Sequence, residues 1–357
     1  MTVALFPIDG DLPALVTATD PNAMLEILRG ALAGGYGTSF APVRCRVDVV
    51  HYPRQHHCVL RYTLEGEGDA QPVTVFGKIA WDNGGALTVA ALPELHEGLQ
   101  RRRTRPFAVP RPLGFFEAMR LVLLEPIPGV PRVLALLQER LRGGDALGMP
   151  TLEDAVDQAA AVTAGLHGSG VGLGRERRIH DELAELKQAQ TVLARLSPVL
   201  GGEFREWLDS VAAQADASNP PPACFSHGDF SPSQLLFSGE QCSLIDFDTI
   251  CQAEPALDLG QFLAYLRLAT RKAGQPALAD GRETTERVCA RFVDAYVEEC
   301  GIGQGAEPLL RARVRLYEIV SLLRLVFHSW RKFKSERLAF AVGLVRDRLR
   351  SLAGQTT

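Results

Sequence analysis

The alternation of apolar and polar positions changes its period near residue 130. Three early segments have strand character: CRVDVVHY (45–52), HCVLRYTL (57–64) and PVTVFGKI (72–79). They are rich in β-branched and aromatic residues, and two stretches of turn composition separate them, Pro53-Arg54-Gln55 and Glu65-Gly66-Glu67-Gly68-Asp69. Ahead of them, DPNAMLEILRGALAGG (20–35) reads as a capped amphipathic helix stopping at Gly34-Gly35. A helix is predicted over about 86 to 103, and strands near 112–116 and 119–125. Beyond Gly129 the apolar residues recur at helical spacing, in TLEDAVDQAAAVTAGLH (151–167), in DELAELKQAQTVLARL (181–196) and from Leu257 to Leu352. The pattern predicts a β-rich region over 1–125 and a mostly helical region over 126–357, linked near Glu125-Pro126-Ile127-Pro128-Gly129. No internal repeat occurs, and the tail after Leu352 is expected to fray.

Composition narrows the picture. The chain has 357 residues, 46% of them hydrophobic, enough for a large core in one bilobal unit or two domains. The net charge of −4 implies no strongly basic surface, so nucleic acid is not an expected partner. The start, MTVALFPIDGDLP, lacks the basic and long apolar regions of a secretory signal. No run of about 18 apolar residues is present, so no membrane partner is expected. Seven cysteines are dispersed with no C-x-x-C, which fits reduced thiols and a cytoplasmic location better than a disulfide framework or a zinc site.

The chemistry concentrates in HGDFSPSQLLFSGEQCSLIDFD (227–248). Asp229 follows His227 by two positions, Gln234 follows Asp229 by five, and Asp246 ends the apolar run Ser243-Leu244-Ile245, with Asp248 two further on. A carboxylate beside an attacking hydroxyl, a side-chain amide and a later Asp is the order that phosphoryl transfer uses. Each residue also has a plainer reading. Gly228-Asp229 is good turn chemistry. Asp248 on an extended segment points the same way as Asp246, yet it is equally a solvated turn residue.

This segment resembles the catalytic core of the aminoglycoside phosphotransferase / choline kinase superfamily, whose pattern is His-Gly-Asp, four residues, Asn, then a strand ending Ile-Asp-Phe/Trp. Here it reads His227-Gly228-Asp229, Gln234, Leu244-Ile245-Asp246-Phe247. The departure is Gln234 where the family usually has Asn: the ligand type is preserved, and the added methylene carries the amide oxygen past Mg²⁺ unless the loop sits back by about an ångström. Weaker matches extend over roughly 45 to 335. The resemblance implies an α+β, protein-kinase-like bilobal fold, with a β-rich N-terminal lobe, a mostly helical C-terminal lobe and a nucleotide between them.

It also implies roles. Asp229 is the catalytic base or orienter, and His227 is structural, holding the loop and the Asp246 segment. Gln234, Asp246 and Asp248 are the metal set. Lys78, late in the third strand, reaches the α- and β-phosphates, with Glu94 as its carboxylate partner and Glu97 as the alternative. Adenine is held at the link by backbone groups of Glu125 and Ile127, between which Pro126 has no N–H to offer. Arg54 is a candidate phosphate contact from a loop that lacks a Gly-rich motif. Asp258, in Pro255-Ala256-Leu257-Asp258-Leu259, is a buried structural acid that steadies the catalytic loop.

The expected activity is therefore ATP- and Mg²⁺-dependent O-phosphorylation of a small hydroxylated molecule: an aminoglycoside, a sugar or a related metabolite. The helical region mixes Glu153, Asp154, Asp157, Asp181, Glu182 and Glu185 with Arg175, Arg177, Arg178, Arg331 and Lys332, a mixture that argues against a purely cationic acceptor. The alternative is a pseudokinase that binds nucleotide without turnover because of Gln234. A protein kinase is disfavoured by the absence of Asp-Phe-Gly and Ala-Pro-Glu after the catalytic strand.

Overall fold

The computed structural model describes residues 9–33, 41–54, 56–67, 71–82, 84–101, 107–144, 150–270 and 279–353. The predicted stop at Gly34-Gly35, Gln55 of the first turn, Gly68-Asp69 of the second, residues 102–103 and the end of the tail lie outside them. The chain forms two compact units. The first takes in the chain up to Glu97, Ala108–Pro128 and the short segment Asp246–Asp248; the second takes in the rest.

In the first unit, Asp20 begins the main helix. Its carboxylate accepts the N–H of Asn22 at 2.8 Å, and Pro21 occupies the first helical position, where its missing N–H costs nothing. Along the chain as far as Leu124 the elements run α1 (Leu15–Ala18), α2 (Pro21–Ala33), β1 (Pro42–His51), β2 (His57–Gly66), β3 (Val73–Ala80), α3 (Gly84–Gln100), β4 (Phe107–Ala108), β5 (Pro112–Phe116) and β6 (Leu121–Leu124). Five strands form an antiparallel sheet in the order β1-β2-β3-β6-β5. Strand β6 is shorter than the expected 119–125: Glu117–Met119 form a single 3₁₀ turn, and Arg120 sits at φ 49°.

Alternation decides which side chains leave the core. On β2, Cys58, Leu60, Tyr62 and Leu64 are buried together with Val75 and Ile79 of β3, against Leu15, Met24 and Leu28 of the helices. The register Val59↔Lys78 and Cys58↔Ile79 then puts Lys78 on the opposite face. Gly77 is required beside it. A Cβ there would lie 2.6 Å from the ring of Tyr62, whose hydroxyl donates to the carbonyl of Ala18 at 3.0 Å.

The second unit contains β7 (Val130–Pro131), α4 (Val133–Leu141), α5 (Leu152–His167), β8 (Glu176–Arg177), α6 (Ile179–Leu196), α7 (Pro198–Asp216), β9 (Cys224–Ser226), β10 (Leu235–Ser238), β11 (Gln241–Leu244), β12 (Cys251–Ala253), α8 (Ala256–Ala269), α9 (Ala279–Cys300), α10 (Glu307–Arg331) and α11 (Ser335–Ala353). A capping box between Thr151 and Asp154 starts α5. Helices α5 and α9 pack together, as do α6 and α7, and α10 packs on both α8 and α11. The hairpin β10–β11 turns over Gly239-Glu240, with Gly239 at φ 59°. Just before α8, the buried carboxylate of Glu254 takes a two-pronged ion pair from Arg313 at 2.5 and 2.7 Å, which fixes where that helix begins. Among the described residues no helix is long and apolar enough to cross a membrane.

Candidate active site

Strand β9 ends at Ser226, and the chain then turns through His227, Gly228, Asp229 and Phe230. Gly228 stands at φ 80°, and a Cβ there would fall 2.1 Å from the carbonyl oxygen of Thr249, so only glycine fits. The backbone on both sides of Asp229 is fastened by side chains of α8. Asp258, wholly buried, accepts the N–H of His227 at 2.7 Å and that of Gly228 at 2.9 Å. Gln261, one helical turn later, donates to the carbonyl of Gly228 at 2.8 Å and accepts the N–H of Phe230 at 2.7 Å. Phe230 itself is stacked on Phe262 and through it on Phe292, with centroids 5.4 and 4.2 Å apart. Asp229 is exposed at the centre of this fixed segment.

The imidazole of His227 is buried. Its Nε2 donates to the carbonyl of Ile245 at 3.0 Å, the residue before Asp246. The carbonyl of His227 accepts from the Thr249 hydroxyl at 3.0 Å. His227 thus holds the loop to the chain that leads into the Ile245-Asp246-Phe247 segment rather than facing solvent.

Burial disfavours the ionised form of Asp258, yet its carboxyl is held below the usual carboxylate range, because the hydrogen bond and field of His167, the field of His227 and the backbone N–H of His227 favour the anion more strongly. His167 reaches it through Nε2 at 3.1 Å, and the Nδ1 of His167 meets the hydroxyl of Tyr296 at 2.8 Å.

Gln234 is buried in the same unit. Its Oε1 accepts the N–H of Ser231 at 2.6 Å, and its Nε2 points at Asp229 Oδ2 at 3.5 Å. The amide oxygen that the sequence assigns to a metal is therefore also a brace for the loop between Phe230 and β10.

In the first unit, Asp246 adopts φ 74°, a left-handed conformation that Asp tolerates better than most residues. The turn after it is anchored by the Thr88 hydroxyl of α3, which donates to the carbonyl of Phe247 at 3.0 Å. Two carboxylates result on one cation. Lys78 Nζ pairs with Asp246 and lies 2.5 Å from Asp248 Oδ2. The Lys78 side chain is 16% exposed, those of Asp246 and Asp248 are 40% and 30%. Burial lowers the affinity of the Lys78 amine for its proton, but the two carboxylates outweigh this and hold its pKa above the ordinary value. Nearby on β2, burial and then the field of Lys78 push His57 down to about 4, so it is neutral at physiological pH.

Glu94 is not brought to Lys78. It lies on the exposed side of α3, as does Glu97, and the ion pairs of Lys78 among the described residues are with Asp246 and Asp248. Arg54 is exposed in the β1–β2 turn. In the link, the N–H of Glu125 is committed to the carbonyl of Arg111 at 2.9 Å, so the groups that would meet an adenine edge are the carbonyl of Glu125 and the N–H of Ile127.

Two hard oxygen donors that already share one cation form a donor set suited to Mg²⁺, which takes one or two carboxylates and leaves its other positions to water and phosphate. No group of three or more His, Cys, Asp or Glu side chains that could hold a metal occurs among the described residues. Sequence reading missed Gln261, His167, Tyr296, Thr88 and Thr249. The Asp258-x-x-Gln261 spacing on one helix face was a usable signal. The others act from 22 to 159 residues away in the chain and leave no local mark.

The model of the phosphotransferase enzyme family matches residues 83–293. That span holds Asp229, Gln234, Asp246, Asp248 and Asp258 but neither Lys78 nor Tyr296. No curated protein matches the chain. Among solved structures, a glucosamine kinase in complex with glucosamine, ADP and inorganic phosphate is similar at TM-score 0.61 and 17% identity, over 95% of this chain and 89% of that one. A choline kinase from Cryptosporidium parvum Iowa II is similar at TM-score 0.61 and 11% identity, over 94% and 97%. The GDP complex of a wild-type aminoglycoside 2'-phosphotransferase is similar at TM-score 0.53 and 14% identity, over 92% and 98%. The fold is α+β and protein-kinase-like, with an antiparallel sheet in the N-terminal region and a helical C-terminal part.

Proposed function

Since the chain belongs to the phosphotransferase enzyme family, we propose that it transfers the γ-phosphoryl group of ATP to a hydroxyl of a small molecule. One observation carries this reading. Asp229 is an exposed carboxylate on a loop whose neighbouring backbone groups are each tied by a buried side chain, Asp258 on one side and Gln261 on the other. Phosphoryl transfer asks little covalent chemistry of a protein and much positioning. An acceptor hydroxyl hydrogen-bonded to Asp229 is oriented for attack, and Asp229 takes its proton as the new P–O bond forms and the bond from the γ-phosphorus to the departing ADP breaks.

Asp246 and Asp248 would hold Mg²⁺, with the Gln234 amide as the further oxygen donor. The ion, when bound, would neutralise charge on the phosphates. Lys78, poised between the two carboxylates, would exchange them for phosphate oxygens when nucleotide binds. Arg54 would add a phosphate contact, and Glu125 and Ile127 would offer backbone groups to adenine. Glu94 would pair with Lys78 only after Lys78 has left Asp246 and Asp248. The acceptor is a hydroxylated metabolite; the solved relatives act on an amino sugar, an amino alcohol and an aminoglycoside by their names.

Nucleotide binding without turnover is a second reading, favoured by the commitment of Gln234 Oε1 to the N–H of Ser231. The test is nucleotide binding by calorimetry beside ATP consumption with sugars, amino sugars, amino alcohols and aminoglycosides. Acceptor-stimulated turnover establishes the transferase. Binding of Mg·ATP with no stimulation by any acceptor, relieved by Gln234→Asn, establishes the second reading.

A further inference from the structure

Three buried side chains form a line that ends on the loop carrying Asp229. Tyr296 of α9, 2% exposed, meets Nδ1 of His167 at 2.8 Å, its ring edge-on to the imidazole at 5.5 Å between centroids. His167, the last residue of α5, meets Asp258 Oδ2 through Nε2 at 3.1 Å. Asp258 passes the constraint to the N–H groups of His227 and Gly228. Two of these residues stand outside the catalytic motif, and Tyr296 lies beyond the span matched by the family model.

The donor and acceptor directions follow from chemistry. Asp258 is kept ionised, so both of its oxygens only accept, and Nε2 of His167 must be the donor. Burial, with Cys300 hydrogen-bonded to the same side chain, keeps the Tyr296 phenol protonated well past its ordinary range, and its oxygen lies within hydrogen-bond reach of Nδ1 at 2.8 Å. An imidazole that accepts the phenol's hydrogen bond at Nδ1 carries its own hydrogen on Nε2, aimed at Asp258. Without the phenol, the other tautomer would turn a lone pair toward a buried carboxylate. Asp258 would then lose a donor while still holding two loop amides, one of them at a glycine with φ 80°.

We propose that Tyr296 and His167 are positioning residues of the transfer reaction, acting through Asp258 to set the angle at which Asp229 meets the acceptor. The proposal rests on the phosphotransferase reading for its kinetic consequence but not for its structural one. A misplacement of about 1 Å at the base costs up to about 100-fold in rate. Binding of nucleotide, which uses the Lys78 and Asp246 groups, is untouched.

The test uses the full chain. Tyr296→Phe removes one oxygen and keeps the ring, so it is expected to fold. Its kcat should fall about tenfold or more with KM for ATP unchanged. The same substitution on an Asp229→Asn background should have no further effect, because the base it positions is already gone. His167→Gln, whose amide can donate to Asp258, should retain more activity than His167→Leu at matched thermal stability. Independently of turnover, Tyr296→Phe should accelerate hydrogen exchange at the amides of His227 and Gly228 while the amides of α10 stay protected. Wild-type kcat in Tyr296→Phe, or equal losses in both backgrounds, overturns the proposal. If no acceptor is phosphorylated even by the wild-type chain, the functional reading fails on its own. The exchange measurement then decides: unchanged exchange at Gly228 refutes the line from Tyr296, and local acceleration upholds it.

Discussion

The groups around Asp229 and those around Lys78 are fastened in opposite ways. Asp229 stands on a loop held by neutral and charge-assisted hydrogen bonds, from the buried Asp258, Gln261 and His227 and from the hydroxyl of Thr249. Lys78, Asp246 and Asp248 are held mainly by one another, as a partly exposed cluster of one cation and two anions. The first arrangement fixes a backbone and has nothing to release. The second can exchange its partners for a ligand that brings its own anions and cation, because a partly solvated ion pair is worth little beyond what a substitute pair supplies. Under the proposed reaction, rigidity lies where a proton would be taken, and exchangeability where charge would be bound.

This contrast can be broken at its strongest point first. Asp229→Asn should lower kcat by about 10²- to 10⁴-fold while the thermal midpoint stays within about 1 °C of the wild type, since an exposed carboxylate contributes little to folding; a falling midpoint would give Asp229 a structural role instead. Next, Gly228→Ala meets both an unfavourable φ and the Thr249 carbonyl, and should destabilise the chain by about 3 kcal/mol or more, read by chemical denaturation. A change within about 0.5 kcal/mol would mean the loop is less constrained than its hydrogen bonds indicate.

Asp258→Asn should cost about 1–3 kcal/mol, since one buried acceptor is replaced by an amide facing an N–H. The pH dependence has a definite sign. The folded value of Asp258 lies below its ordinary 3.8, so its contribution is complete above that value and is lost as pH falls through the folded one. The wild type should therefore lose its advantage over Asp258→Asn on acidification below about pH 4, and a gap that widens there would contradict the assignment.

Lys78→Met should lower kcat/KM for ATP by about tenfold to 100-fold while leaving the hydrogen exchange of the Gly228 amide unaltered. Its folded pKa is raised, so the Lys78 pairs contribute fully below the ordinary 10.5 and decline only as pH rises past the folded value. The smallest effect is expected from Glu94→Gln, exposed on α3, with less than about a twofold change in kcat/KM; a loss as large as that of Lys78→Met would show that Lys78 turns to Glu94 during turnover.

Sequence and structure agree on different things in the two regions. The order His-Gly-Asp, amide, Ile-Asp was readable because it is local: each residue lies on one loop or one strand end. The β-rich start and helical remainder were readable from periodicity, and the positions of β2 and β3 followed from the same alternation that turns Lys78 away from the core. The partners of these groups were not readable. Lys78 was assigned a carboxylate from the following helix, whereas its partner Asp246 lies 168 residues away, in a turn whose left-handed conformation no pattern announces. His167 and Tyr296 read as ordinary members of helical apolar faces, and only packing of α5 on α9 gives them a common purpose.

The most direct measurement of the central claim follows phosphorus by NMR in wild-type protein and Asp229→Asn, each with Mg·ATP and a panel of hydroxylated acceptors. A new phosphomonoester signal, growing as ATP is lost in the wild type and suppressed at least about 100-fold in the variant, is the expected result. A phosphomonoester formed equally fast by both proteins would contradict the role given to Asp229 and, with it, the reading of the pinned loop as the centre of the chemistry.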